Sequence, residues 1–301
     1  MQSLALLQCC VVTVAIGLPC GCAAGALNRS DAEVLAELPP DIQAIEEKYS
    51  IAPSPPARNE QISELLERGR AAAEHAALTL APEDIAAAEC ALDDALALAP
   101  RSSWAHYQRA FAAQARMLAW LHGGDRAGAG DFGAAASEAV HHARVALALT
   151  RERPAEAAAL LSSIQGLRIA QNWWLGMSLG SECDTLLELA EHADAENPRV
   201  DLVRGIELWN KPALFGGDRD AARARFARAR ESFAREARAP GAGEPGWGPA
   251  EACAWHGLAL IKQGQLVQAR QALEQALAIA PEYAWVRVVL LPALEVREQK
   301  R

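Results

Sequence analysis

The sequence predicts an almost entirely helical protein, and three observations carry that expectation. Alanine is the commonest residue, whereas Val, Ile and Thr are sparse and aromatic residues amount to only 5%, so strand formers are few and helix formers abundant. Hydrophobic residues make up 51% of the 301 positions against 22% charged, which is enough to bury a core and excludes a mostly disordered chain. From residue 59 onward, Pro and Gly cut the chain into helix-length segments, expected at 59–78, 82–98, 102–122, 132–149, 154–171, 178–195, 199–209, 218–237, 249–263, 266–279 and 283–299. The formal charge of −9 supplies no positive field to gather phosphates or an anionic bilayer surface, so nucleic acid is not an expected partner.

Taken in order, residues 1–26 hold no Asp, Glu, Lys or Arg. Their apolar stretch at 4–18 falls short of the roughly 20 residues a spanning helix needs. Pro19 and Gly21 close it, and a small-residue run ends in Ala24-Gly25-Ala26. This is the shape of a secretory signal peptide cut after Ala26, although the positive charge usual before the apolar run is missing. The Gly21-Cys22 pair resembles a bacterial lipoprotein signal, which implies Cys22 as a lipidation site and an anchor in the membrane. Residues 27–58 read as a Pro-rich linker, with a helix candidate at 31–38 followed by Pro39, Pro40, Pro53, Pro55 and Pro56. Asn28-Arg29-Ser30 matches a glycosylation acceptor within it. The expected folded body is a single helical domain at 59–301, exported to the periplasm or held at the cell envelope.

Small residues recur within that body at fixed spacing. The clearest unit holds Gly257, Gly264, Ala269, Leu273, Ala276 and Pro281. Two antiparallel helices nest closely only where side chains nearly vanish, and Leu266, Leu273 and Leu277 complete the apolar face. The unit before it repeats the spacing with Gly217, Ala222, Phe226 and Ala229, and carries Gly205 and Leu208 on its first helix. Weaker copies are Ala88, Leu92, Ala95 and Pro100, then Ala139, Ala143 and Ala146 after the Gly-rich stretch 123–133.

This pattern resembles the tetratricopeptide repeat, with Trp104 and Tyr107 at first-helix positions of an earlier unit. The resemblance covers most of 59–281 and implies an all-α, TPR-like α-solenoid of antiparallel helix hairpins. Residues 283–299 would then be a C-terminal capping helix. The turns Phe215-Gly216-Gly217-Asp218 and Trp247-Gly248, with the terminal Trp285-Val286-Arg287, are also similar to a group of exported bacterial repeat proteins. The function this implies is a non-enzymatic scaffold of the cell envelope whose concave groove takes a peptide or protein. The candidate contact residues are Trp104, Tyr107, Trp173, Trp174, Trp209, Phe215, Asp218, Trp247 and Trp255. An alternative follows from a looser resemblance to helical-repeat lipoproteins of solute transporters, in which long insertions close a pocket around a small ligand.

Gly176-Met177-Ser178-Leu179-Gly180 satisfies the nucleophile-elbow pattern of serine hydrolases, with Asp201 and His256 following in order, but no strand is expected before Gly176. A hydrolase using Ser178 is therefore the least favoured reading. The seven histidines show no short metal-ligand spacing, and adjacent His141 and His142 point about 100° apart on a helix, so solvated or groove-edge histidines, no metal and no cofactor are expected. Cys90, Cys183 and Cys253 are too scattered for a disulfide framework and read as small buried residues. The inserted loop Asn210–Asp218 reads either as a lid over the concave face, working with Trp209 and Trp247, or as a connector whose Phe215 packs on its own repeat. Arg219, Arg223, Arg225, Arg228, Arg230, Arg235 and Arg238 crowd one helix and, interrupted by acids, read as a solvated ion-paired face.

Overall fold

The computed structural model describes residues 36–39, 42–51, 59–123, 130–150, 153–236 and 243–300. Among these residues every regular element is helical and none is a strand. A short helix, α1 (Ile42–Tyr49), precedes five successive pairs. These are α2 (Asn59–Thr79) with α3 (Pro82–Leu98), α4 (Ser103–Gly123) with α5 (Phe132–Leu149), α6 (Ala155–Gln171) with α7 (Gly176–Ala193), α8 (Pro198–Asn210) with α9 (Arg219–Arg235), and α10 (Pro249–Lys262) with α11 (Leu266–Ile279). The two members of each pair pack along each other. The signal region with Cys22, and the glycosylation acceptor at 28–30, lie outside the described residues. No helix among the described residues is long and apolar enough to cross a membrane.

The hairpins nest where the small residues stand. A side chain at Gly257 would come within 2.6 Å of Leu273, one at Gly205 within 2.6 Å of Phe226, and one at Gly69 within 2.5 Å of Leu92. All three are closer than real Cβ contacts, so glycine on the first helix admits the large apolar residue of the second. The flanking residues Ala88, Ala95, Ala222, Ala229, Ala269 and Ala276 are fully buried, as are Ala139 and Ala143.

Local chemistry sets the ends of the helices. Asp131 caps α5 by accepting the Ala134 amide at 2.7 Å, Asn197 caps α8 through the Arg199 and Val200 amides, and Asp218 caps α9 through those of Asp220 and Ala221. Prolines stand in the first turn of α3, α8 and α10, where their missing N–H costs no helical hydrogen bond. The expected terminal helix forms with an irregularity: Val286–Leu290 is a π-helical turn leading into α12 (Leu291–Glu298). Pro292 lacks an N–H and its ring would collide with the carbonyl four residues back, and the widened turn absorbs both conflicts while Leu290 and Leu294 stay buried.

The linker reading misses α1. Pro39 and Pro40 before it and Pro53 after it bar a long helix but leave room for eight residues, and α1 packs on α5 with Ile45 buried and the Tyr49 ring edge-on to His141. Two main core clusters result, one from the first three hairpins and the other from the last two with the terminal segment. First helices touch in succession, α2 with α4, α4 with α6 and α6 with α8. The first hairpin also meets the end of the chain, since Leu78 packs on the second cluster and His75 lies 3.6 Å from Glu282.

Candidate functional site

The densest grouping of the expected contact residues lies where α2 and α4 face the segment 243–248, which precedes α10. On α4, Trp104, Tyr107, Gln108 and Phe111 recur at helical spacing and share one face. Trp104 and Tyr107 meet edge-on at 5.6 Å, and Phe111 stacks on Trp247 with centroids 5.2 Å apart at 19°. The Trp247 indole N–H donates to the Tyr107 hydroxyl at 2.9 Å.

Three further hydrogen bonds grip main chain. The Gly246 amide donates to Glu74 at 2.6 Å, the Gln108 carboxamide donates to the Gly243 carbonyl at 2.9 Å, and the Gly248 amide donates to Glu251 at 3.0 Å. Glu74 is itself held by Arg70 at 2.7 Å. A side chain at Gly248 would overlap the Phe233 ring, and one at Gly243, whose φ is +77°, would stand 3.0 Å from Trp104, so glycine is required at both.

Behind Tyr107 lies a polar row that runs from the buried Arg199 through the half-buried Glu156 and Asn197 to the exposed Glu236. Tyr107 donates to Glu156 at 3.5 Å, Asn197 donates to Glu156 at 2.8 Å, and the Arg199 guanidinium stands 3.6 Å from Glu156 and 3.5 Å from Glu236, over the Phe233 ring. Burial raises the Tyr107 hydroxyl well above its usual range and raises Glu156 against the opposing pull of Arg199; burial likewise raises Glu251. The space left is about 10 Å³, lined by Ser103, Trp104, Tyr107, Thr150 and Glu156, which is room for one water. A larger open depression of about 590 Å³ lies between α9, α10 and α11, lined by Arg230, Glu231, His256, Leu260, Gln268 and Gln275, with no tryptophan.

The remaining expected residues are dispersed. Trp209 is buried against Phe226 under the Arg219 guanidinium, and Trp255 stacks on Phe226 and meets Trp285 at a tilt, so both serve the second core. Phe215 is 67% exposed, so it neither packs on its own repeat nor covers Trp247. The loop around it is instead a shaped connector: Gly216 has φ +94°, a side chain at Gly217 would overlap the Lys211 carbonyl, and Asp218 is the cap of α9. Trp173 and Trp174 stack on each other at 3.8 Å and are 52% and 57% exposed beside Met177.

Ser178 does not stand on a strand-to-helix elbow. Ser178 lies in the first turn of α7 and donates to the Leu175 carbonyl at 3.1 Å, helical rather than strand structure precedes it, and Asp201 is held by Arg225 and Arg228. Those two arginines form ion pairs of the kind expected on α9, and Asp201, on which they converge, is only 2% exposed. Arg238 lies outside the described residues.

The histidine and cysteine readings also change. His106 is buried and its Nδ1 lies 2.8 Å from Nδ1 of His142, while its Nε2 lies 3.0 Å from the Pro100 carbonyl. Since that carbonyl only accepts, His106 donates from Nε2 and accepts at Nδ1 from His142. Burial pushes His106 down to about 4 and drives His142 lower still, with His106, Arg109 and His141 adding repulsion. No metal-binding group of His, Cys, Asp and Glu occurs among the described residues. Cys183 and Cys253 are buried, and burial pushes their thiols up to about 12 and about 11, but Cys90 is exposed.

Sequence reasoning missed Glu74, Gln108, Phe111, Glu156 and Arg199. Gln108 and Phe111 carried a signal, being one helical turn and two turns along from Trp104. Glu74, Glu156 and Arg199 carried none, because charged residues of helices ordinarily face solvent. No family model matches the chain, and no curated protein is significantly similar to it.

Proposed function

We propose that the chain is a non-enzymatic binding scaffold of the bacterial cell envelope, built as a tetratricopeptide-type stack of helix hairpins whose inner, first-helix faces receive a peptide or protein segment. The succession of first-helix contacts and the glycine-to-large-residue nesting in three hairpins support the repeat reading. Export, through the signal at residues 1–26 or an acylated Cys22, belongs to the same proposal.

One observation carries the binding reading. The faces of α2 and α4 already hold an irregular stretch of chain by the means a peptide site uses: a carboxylate for an amide, a carboxamide for a carbonyl, and an aromatic slot for one anchor side chain.

The test is selection of a random peptide library on the full chain, wild type and Trp247→Ala side by side, followed by calorimetry on enriched peptides. The expected result is enrichment of related sequences that bind at micromolar concentrations and lose at least tenfold in affinity with Gln108→Ala. Selection that enriches nothing on either protein overturns the reading.

A further inference from the structure

Resting on the peptide-scaffold reading above, we infer that the α2/α4 groove is a recognition site for a Gly-Trp-Gly segment of another polypeptide, and that the chain's own residues 243–248 occupy it in cis as a displaceable ligand. The segment is remote in sequence from what it touches: Gly246 meets Glu74, and Trp247 meets Tyr107 and Phe111 two hairpins or more away. Gly248 is the N-cap of α10, but residues 243–247 form no regular element, so the hydrogen bonds of Gly243, Gly246 and Trp247 to α2 and α4 are not needed to complete a helix.

Its contacts define the ligand chemistry. Hydrogen bonds go to main-chain atoms at Gly243 and Gly246, and another is donated by the indole N–H. Recognition therefore reads main chain together with one tryptophan. Glycine is favoured beside it because a Cβ at Gly246 would stand 2.7 Å from the Arg70 guanidinium and 3.1 Å from the Glu74 carboxylate and would push that pair aside. Pro245 within the segment and Pro249 directly after it restrict its backbone before it binds, which lowers the ordering cost for a free segment of the same kind. The aromatic floor of Tyr107 and Phe111 is 1% and 6% exposed with the segment in place, so no external peptide reaches it until residues 243–248 leave.

A tethered ligand competes at an effective concentration of about millimolar, so a free peptide binds wild type with an affinity reduced by the fraction of time the groove is open. Removing the tethered anchor removes that competition.

The experiment titrates the synthetic peptide Gly-Glu-Pro-Gly-Trp-Gly-Pro-Ala, matching residues 243–250, into the full chain by calorimetry. It compares wild type, Trp247→Ala, Gly246→Ala as a milder way to loosen the segment, and Trp247→Ala combined with Gln108→Ala, with circular dichroism confirming that each is folded. Binding at least tenfold tighter to Trp247→Ala or Gly246→Ala than to wild type, lost when the peptide tryptophan becomes alanine and weakened by Gln108→Ala, supports the inference. On wild type, excess peptide is expected to raise amide exchange within 243–248 while the helices stay protected, a readout that needs no variant. Equal affinity for all folded variants, or no binding to any with unchanged exchange in wild type, overturns it. If library peptides bind elsewhere while this peptide does not, the scaffold reading survives and the assignment of this groove fails. A mass that doubles through exchange of 243–248 between chains would make a second copy the occupant and overturn the assignment to a separate polypeptide.

Discussion

The indole of Trp247 donates a 2.9 Å hydrogen bond to the hydroxyl of Tyr107, a residue two hairpins earlier in the chain. That contact ties the segment before the last hairpin to the second, where Trp247 also stacks on Phe111. Trp247→Phe keeps the stack and loses the bond, so it is expected to cost about 1 kcal/mol, while Trp247→Ala costs about 3 kcal/mol by losing both. Urea unfolding of the two variants and Tyr107→Phe checks this, and the double mutant should cost less than the sum of Trp247→Phe and Tyr107→Phe.

The glycines divide into two classes with opposite expected outcomes. At Gly217 a side chain would overlap the Lys211 carbonyl, and at Gly205 it would crowd Phe226, so alanine at either lowers stability, by about 2 kcal/mol or more. Gly166 and Gly180 sit inside α6 and α7 with nothing within 4 Å of a built Cβ, so alanine there raises stability by up to about 1 kcal/mol. Thermal unfolding of the four variants reads both signs.

Asp201 is 2% exposed and accepts Arg225 at 2.9 Å and Arg228 at 2.5 Å. Asp201→Asn leaves two guanidinium groups facing a neutral amide at a buried junction of α8 and α9 and is expected to cost about 3 kcal/mol. Arg228 is half exposed, so Arg228→Ala costs under about 1 kcal/mol. Equal losses from the two substitutions would contradict the asymmetry.

The histidine pair gives a pH dependence of definite sign. His106 titrates near 6.5 unfolded and about 4 folded, and His142 is depressed further, so the unfolded chain takes up protons first as pH falls. Stability from this pair is complete above about pH 6.5 and is lost as pH drops toward 4, by about 3 kcal/mol for His106. Glu156 and Glu251, raised by burial, act oppositely, since their destabilising effect fades as pH falls. Comparing wild type with His142→Gln, which can still donate to His106, isolates the pair: the variant should lose markedly less stability between pH 7.5 and 5.

The hairpins were legible in the sequence because their signal is local. Ala88, Leu92 and Ala95, or Ala269, Leu273 and Ala276, repeat on one helix face, and spacing alone tells which face is buried. Pro292 was visible too, but whether it ends a helix or widens a turn depends on the burial of Leu290 and Leu294, which is tertiary. Half of the inner site was readable in Trp104, Tyr107 and Trp247 as aromatic residues. Its hydrogen-bonding half was not, because Glu74 and Gln108 look like ordinary helix-surface residues until a Gly-Pro segment with no periodicity folds onto them. Phe215 misled for the converse reason: a large apolar residue among glycines promises burial, yet here it caps a tight connector and stays exposed.

The account stands most directly on whether residues 243–248 are seated against α2 and α4, and amide exchange at Gly246 followed by nuclear magnetic resonance measures it. Seating against Glu74 predicts exchange at least a hundredfold slower than in the free peptide, with protection falling at least tenfold in Glu74→Ala. Exchange at the free-peptide rate in wild type would contradict it.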